Sequence, residues 1–301
     1  MRPTIVPILT TVIILISSIC CAAQETKDVP IDNYGMVKTN IKVSYDYTDA
    51  SVSDHFNARV SYEFFKNKMF TLTANVHYNS LQADFSENEL PDGYDPEQMG
   101  MNRTHLNGQF GVSASFRSRL FGRPFMAFGT VSGDWGDKRF QRVSALAMGL
   151  FMLRANRNTQ FGIGPLVLIN STSKVPAFLV FMYRHRFNDK LAINLYGGMF
   201  GLDYTPTQSD LITVGGDIDV RSFYFSPGQP DLPTRCRYTN TNFRPGIKYK
   251  RRLATNLYGE IQGGVILKMS SRVTSVSGTK RYFDIPMPAR PFIQAAISYS
   301  M

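Results

Sequence analysis

The feature that most limits what this chain can fold into is a two-residue rhythm that returns in window after window. NIKVSYDY sets Ile41, Val43, Tyr45 and Tyr47 against Lys42, Ser44 and Asp46. FNARVSYEF sets Phe56, Ala58, Val60, Tyr62 and Phe64 against Asn57, Arg59, Ser61 and Glu63. FTLTANVHYN sets Phe70, Leu72, Ala74, Val76 and Tyr78 against Thr71, Thr73, Asn75, His77 and Asn79, and LNGQFGVSASF continues with Leu106, Phe110, Val112, Ala114 and Phe116. Side chains on a strand alternate between its two faces, so each window makes a strand with one greasy and one polar side, and helical spacing fits none of them. The final residues FIQAAISYSM keep the rhythm, with Ile293, Ala295, Ile297, Tyr299 and Met301 on one face.

Further runs read as strands of less certain phase near 125–135, 140–154, 159–170, 177–187, 190–202, 239–250, 253–268 and 290–301. Most are longer than the roughly five or six residues of a globular strand and match the roughly 9–11 that a tilted strand needs to cross a bilayer core. Short turns (KNK, SRLFGRP, ANRN, FNDK, KYKRRL) alternate with long polar connections at 83–102 and 270–289. That asymmetry predicts an all-β fold, a closed antiparallel transmembrane β-barrel. In hydrocarbon every backbone N–H and C=O must be satisfied internally, so a spanning sheet has to close, here by pairing the last strand with the first near 37–47. Twelve strands are expected, with fourteen as the alternative. The stretch 203–238, which contains DLITVGGDIDVRSFYF, is either an outer excursion or two more strands. A soluble up-and-down barrel would show the same rhythm with its apolar face turned inward.

The first residues, MRPTIVPILTTVIILISSICCAAQ, carry Arg2, an apolar run and small residues ending at Ala23, which is the layout of a secretory signal. The expected organisation is a signal peptide over 1–23, a short periplasmic lead over 24–36 and a barrel over 37–301. Cleavage there would remove Cys20 and Cys21 and leave Cys236 without an internal disulfide partner. The remainder holds no apolar stretch of about 18 residues, so helical membrane spans are excluded. The formal net charge of +10 concentrates in the expected short turns, as at Lys66, Arg119, Arg157 and Lys190. It reads as a rim that can meet anionic headgroups, and nucleic acid is not an expected partner.

Signal, alternating strands, a terminal strand with apolar residues at every second place, and segments such as PAFLVFMYRHRFNDKLAINL together resemble the uncharacterised outer-membrane β-barrel proteins of Gram-negative bacteria. The resemblance implies residence in outer-membrane lipid. It also implies insertion by the barrel-assembly machinery, with Ile293, Ala295, Ile297, Tyr299 and Met301 on the recognition strand. Oligomeric state is not fixed by it.

Function then depends on the polar faces. Lys42, Arg59, Glu63, Asn75, His77 and Gln109 are the candidate lumen lining, and an open lumen would make the barrel a passive pore or small-solute transporter. Twelve strands fall between a barrel filled by side chains and one holding a water channel, so a filled structural or surface-interaction barrel is the alternative. A barrel hydrolase ranks below both. His77 and Ser80, three apart on a strand, point to opposite faces, and no G-x-S-x-G, H-E-x-x-H, phosphate-loop or dinucleotide motif appears. No Cys/His cluster suggests a metal, and no cofactor is expected.

Overall fold

The computed structural model describes residues 40–48, 51–88, 90–91, 93–169, 177–196, 199–278 and 280–300. The signal and lead segments and Met301 lie outside the described residues, so those expectations are not addressed by it. The strands are β1 (Asn40–Thr48), β2 (Val52–Lys66), β3 (Phe70–Ala83), β4 (Thr104–Leu120), β5 (Arg123–Gly136), β6 (Arg139–Ala155), β7 (Thr159–Ile169), β8 (Ala177–Arg186), β9 (Leu191–Asn194), β10 (Phe200–Tyr204), β11 (Asp210–Phe225), β12 (Cys236–Ala254), β13 (Leu257–Ser275), β14 (Arg281–Asp284) and β15 (Arg290–Ser300).

Successive strands pair antiparallel from β1 to β13; β13 pairs with β15, and β15 pairs with β1 from Asn40↔Ser300 to Thr48↔Phe292. The ring is therefore closed. It holds fourteen strands, because β14 only flanks the end of β13. The expected twelve is corrected at two places. The run 190–202 is not one strand but the start of a short hairpin, β9 and β10, and DLITVGGDIDVRSFYF is a single full-length strand, β11. A second correction concerns KYKRRL, which lies inside β12; the turn comes after it, at 255–256. The other expected short turns fall at one end of the barrel, including Phe121–Gly122. Both of its residues have positive φ, 52° and 75°, as a tight hairpin following the strand twist requires.

Register decides which way each face points. Lys42, Arg59, His77 and Gln109 form one row across β1–β4, since directly paired residues share a face. That row continues to Asp134 on β5 and Arg142 on β6. These faces line the inside, where Ser44, Ser61, Thr73, Ser113 and Asp217 are buried. The opposite faces stand exposed around the outside: Val76, Phe110, Val131, Val214, Ile247, Ile261 and Ile293 are all more than half exposed. A soluble barrel would show the reverse. Exposed aromatics, among them Tyr62, Phe64, Phe121 and Phe187 at the short-turn end and Tyr47, Trp135 and Phe140 at the other, flank this apolar surface.

Gly201, Gly215, Gly246 and Gly264 pair in sequence across β10–β13 and face inward. A Cβ on any of them would lie 2.1–2.2 Å from backbone oxygen of the neighbouring strand. Only glycine permits so close an approach, so the row acts as a crease. Beyond it, toward the long-loop end, β11 and β12 bend into the mouth. Arg221, Phe223, Tyr224 and Phe225 on β11, and Cys236 to Asn240 on β12, are buried on both faces of the hairpin.

Candidate functional site in the barrel interior

The inward hairpin supports an apolar cap over the mouth. Phe223, Phe225 and Tyr238 pack with Val52, Leu81, Phe85, Met99, Met101, Val273 and Ile285, all 2% exposed or less. Phe85 meets Tyr238 edge-on at 5.1 Å, and His105 stacks on Phe223 at 3.8 Å. The connecting loops lock over this core: Asn88 Nδ2 donates to the Pro286 carbonyl at 2.7 Å, the Tyr94 hydroxyl donates to Asp231, and Tyr94 stacks on Phe283. At the loop's base Asp84 accepts hydrogen bonds from the hydroxyl and backbone N–H of Ser86, which hold its carboxyl below the usual range.

Beneath the cap the interior is crossed by ion pairs. Arg244 donates to both oxygens of Asp217 at 3.0 and 2.6 Å, and its Nη1 lies 3.5 Å from Asp46. Arg221 donates to Asp219 at 2.7 Å, to Asp46 at 3.4 Å and to the Val52 carbonyl at 3.2 Å. His55 stands 3.3 Å from the same Asp46 carboxylate. Since Asp46 is on β1 and Arg221 on β11, the pair spans the lumen and does not follow one ladder. Arginine suits this place because its fixed fork can serve several carboxylates in a dry setting. A void of about 10 Å³ beside Arg221, bordered by Val52, Asn240 and Asn242, has room for about one water.

A second tie closes the other side of the mouth. The Tyr224 hydroxyl donates to Asp134 on β5 at 3.1 Å, and the Ser226 hydroxyl donates to Asp137 at 2.9 Å. Asp134 also receives Arg142 at 2.9 Å and Gln109 at 2.8 Å. Lower down, Glu260 is shared by Lys42 at 2.6 Å and Lys250 at 3.3 Å, with inward-facing Lys248 nearby in register.

The residues expected to line a lumen divide accordingly. All six point inward by register: Gln109 is absorbed in the Asp134 cluster, Asn75 bridges Ser61 and Ser113, His77 accepts from Asn57 at 2.5 Å, and Glu63 meets Lys66 at 3.1 Å. Lys42, paired with Glu260, and Arg59 remain partly exposed on the inside, so the lower lumen presents basic side chains. The cluster of Asp46, Asp217, Asp219, Arg221 and Arg244 was not anticipated from sequence. Its signal is the D-x-D-x-R spacing on β11, which sets three charges on one face of one strand. On the final strand Ile293, Ala295 and Ile297 face outward, and Tyr299, paired with Ile41 and Leu257, is 9% exposed.

The four histidines are engaged in ways that do not assemble a triad among the described residues. His55 donates to Asn79 at 2.9 Å, and His105 donates to the Met101 carbonyl at 3.0 Å. His185 lies 2.9 Å from the Thr159 hydroxyl and meets the Phe187 ring edge-on at 4.8 Å. No group of three or more potential metal ligands occurs among the described residues.

No protein-family model matches the chain, and no curated protein matches it. Solved structures do. An outer-membrane channel from Pseudomonas putida F1 aligns over 91% of this chain and 100% of its own, at 10% identity and a TM-score of 0.41. The KdgM porin in complex with disordered oligogalacturonate aligns over 87% and 99%, at 9% identity and 0.36. The outer membrane phospholipase dimer of Salmonella typhi aligns over 92% and 94%, at 11% identity and 0.37. All three are outer-membrane proteins, but at these scores the assignment of this chain as a closed antiparallel barrel rests on its own ladder.

Proposed function

We propose that the protein is an outer-membrane β-barrel transporter held shut at its outer mouth, with a positively charged lower lumen open toward the periplasm. The observation that carries the reading is the cross-lumen tie from Arg221 and Arg244 to Asp46, beneath a dry cap built by the inward-folded β11–β12 hairpin. Support for the membrane comes from the outward apolar faces, because a charged residue on them at mid-bilayer would cost about 2–4 kcal/mol and none of the clearly phased strands carries one there. The short-turn end, with its arginines and lysines, then faces the periplasm. Insertion by the barrel-assembly machinery through the β15 face of Ile293, Ala295 and Ile297 belongs to the same reading.

The geometry favours a gated passage over a wide-open porin. Lys42, Arg59, Lys248 and Lys250 outnumber Glu63, Asp203 and Glu260 around the lower lumen, so its balance is positive and it attracts small anions. Planar-bilayer recording tests this. The wild-type protein is expected to show little steady current, and the F85A/F223A variant, which empties the cap, to show stepwise and anion-selective conductance. Large steady current in the wild type would mean an open pore. Silence of a folded, heat-modifiable variant at every voltage would mean a filled structural barrel.

A further inference from the structure

The wall of the barrel is interrupted beside β8. The β9–β10 hairpin has strands of only four and five residues, against the roughly 9–11 that cross a bilayer core. The rungs from β8 toward β9 end at Tyr183, whose carbonyl accepts from Leu195 N–H at 2.8 Å, and those from β10 to β11 end at Phe200↔Gly216. Above that level, Ala177–Met182 of β8 and Asp217–Phe225 of β11 have no strand partner on their facing edges among the described residues. The β11 edge is also drawn inward, where Tyr224 and Ser226 reach Asp134 and Asp137. Among the described residues this leaves a notch in the side of the barrel, bounded outside by Leu179 and Phe181 on one edge and Ile218 and Val220 on the other, all more than half exposed.

Behind the notch the inner wall changes character. Where β1–β4 and β11–β15 turn serines, asparagines and charges inward, register turns Met148 and Leu150 of β6, Leu166 of β7 and Phe178, Val180 and Met182 of β8 inward. Met182, Leu150 and Met152 pack together there, and Tyr196, just beyond β9, lies against them and floors the lower part of the notch, leaving the Leu166 and Phe178 level above it. Phe178 points inward yet is 41% exposed, so no described side chain covers it. The sheet is thus apolar on both faces here, next to a break in its hydrogen bonding.

We infer that this notch admits a long-chain amphiphile from the outer leaflet, its acyl chain lying on the Met148–Leu166–Phe178–Met182 wall and its polar head meeting the free backbone edge of β8. This rests on the membrane reading above. The chemistry selects the occupant from both sides. Water against an apolar wall gains nothing, whereas each buried CH₂ of a chain contributes about 0.8 kcal/mol. Pure hydrocarbon would leave the β8 edge unsatisfied at several kcal/mol per group, so the occupant must bring hydrogen-bonding atoms as well. Continuity with the lipid-facing surface supplies the route, since the rim residues Leu179 and Phe181 belong to that surface. Flexible methionines suit a groove that receives chains of varying shape.

The test uses tryptophan fluorescence in vesicles of phosphatidylcholine carrying brominated acyl chains, in a W135F background that removes the single native tryptophan. F181W, on the outer face, reports lipid contact of the barrel itself, and F178W reports the inside of the notch. Both are expected to be quenched to a similar degree, with F178W shielded from aqueous iodide. Quenching of F181W without F178W, or quenching of F178W by iodide in place of brominated lipid, overturns the inference and leaves the barrel reading intact. Loss of quenching at F181W as well overturns the membrane reading and the inference with it.

Discussion

Two stretches of the inner wall solve the same problem in opposite ways. Along β11, β12, β13, β15 and β1 the inside is sealed by charge: Asp46, Asp217 and Asp219 hold Arg221 and Arg244 across the lumen. Along β5–β8 it is furnished with Met126, Met148, Leu150, Met152 and Met182, which pack with one another and with neighbouring Val180 and Tyr196 through apolar contacts alone. The charged stretch is specific and brittle, because each group depends on partners from other strands. The apolar stretch is adaptable, because dispersion contacts survive small shifts. On the proposed reading, the mouth is shut where its geometry is fixed, and the wall opens where its lining can rearrange.

The largest way to break this contrast is at the charged seal. Arg244→Met removes the bidentate partner of Asp217 and one of the two arginines facing Asp46. Leaving buried carboxylates uncompensated is expected to cost about 3–5 kcal/mol, read as a lower urea midpoint for loss of the heat-modifiable gel form. Adding Asp217→Asn should recover part of that loss, since the two positions belong to one network. If R244M unfolds with the wild-type midpoint, the seal contributes no stability and the contrast between the two stretches is lost.

The same contrast explains what could be read in advance. On β1–β4 the inside is polar and the outside apolar, so NIKVSYDY or FTLTANVHYN fixes both the strand and its phase. On β6–β8 both faces are apolar. Strings such as VSALAMGLFML and PAFLVFMY declare strands without saying which side looks inward, and periodicity carries no further signal there. In LAINLYGGMFGLDY the alternation of Leu191, Ile193 and Leu195 overrides the turn signal of Gly197–Gly198, so a hairpin reads as one strand. In DLITVGGDIDVRSFYF the three charges of DIDVR suggest a solvated loop. They lie inside because their partners, Asp46 and Arg244, are more than twenty positions away along the chain, where no local pattern can point. The cap escapes notice for that reason too: Phe85, Met99 and Tyr238 meet only once the ring has closed.

A smaller perturbation addresses the crease that separates the two regimes. Gly246→Ala would set a Cβ 2.2 Å from the Gly263 carbonyl oxygen, and backbone on that side has no free end to swing away. The strain is expected to cost about 1–3 kcal/mol and to loosen the inward lean of β11–β12. Bilayer current should rise in G246A even with the cap residues intact. A variant equally stable and equally silent would mean that the hairpin leans inward for reasons other than the crease.

Met182→Leu, on the apolar stretch, should matter least. Leu keeps the volume and the hydrophobicity of a side chain that packs against Leu150 and Met152, and swaps of that kind usually cost less than about 1.5 kcal/mol. What changes is shape: a branched Leu cannot follow an entering chain as an unbranched thioether can. Stability near wild type combined with reduced brominated-lipid quenching in a W135F/F178W/M182L protein would show that this part of the wall is kept soft for what it receives. Unchanged quenching would reduce Met182 to ordinary packing. A large loss of stability would mean that the apolar stretch is as tightly specified as the charged one, and the two halves of the barrel would no longer differ in kind.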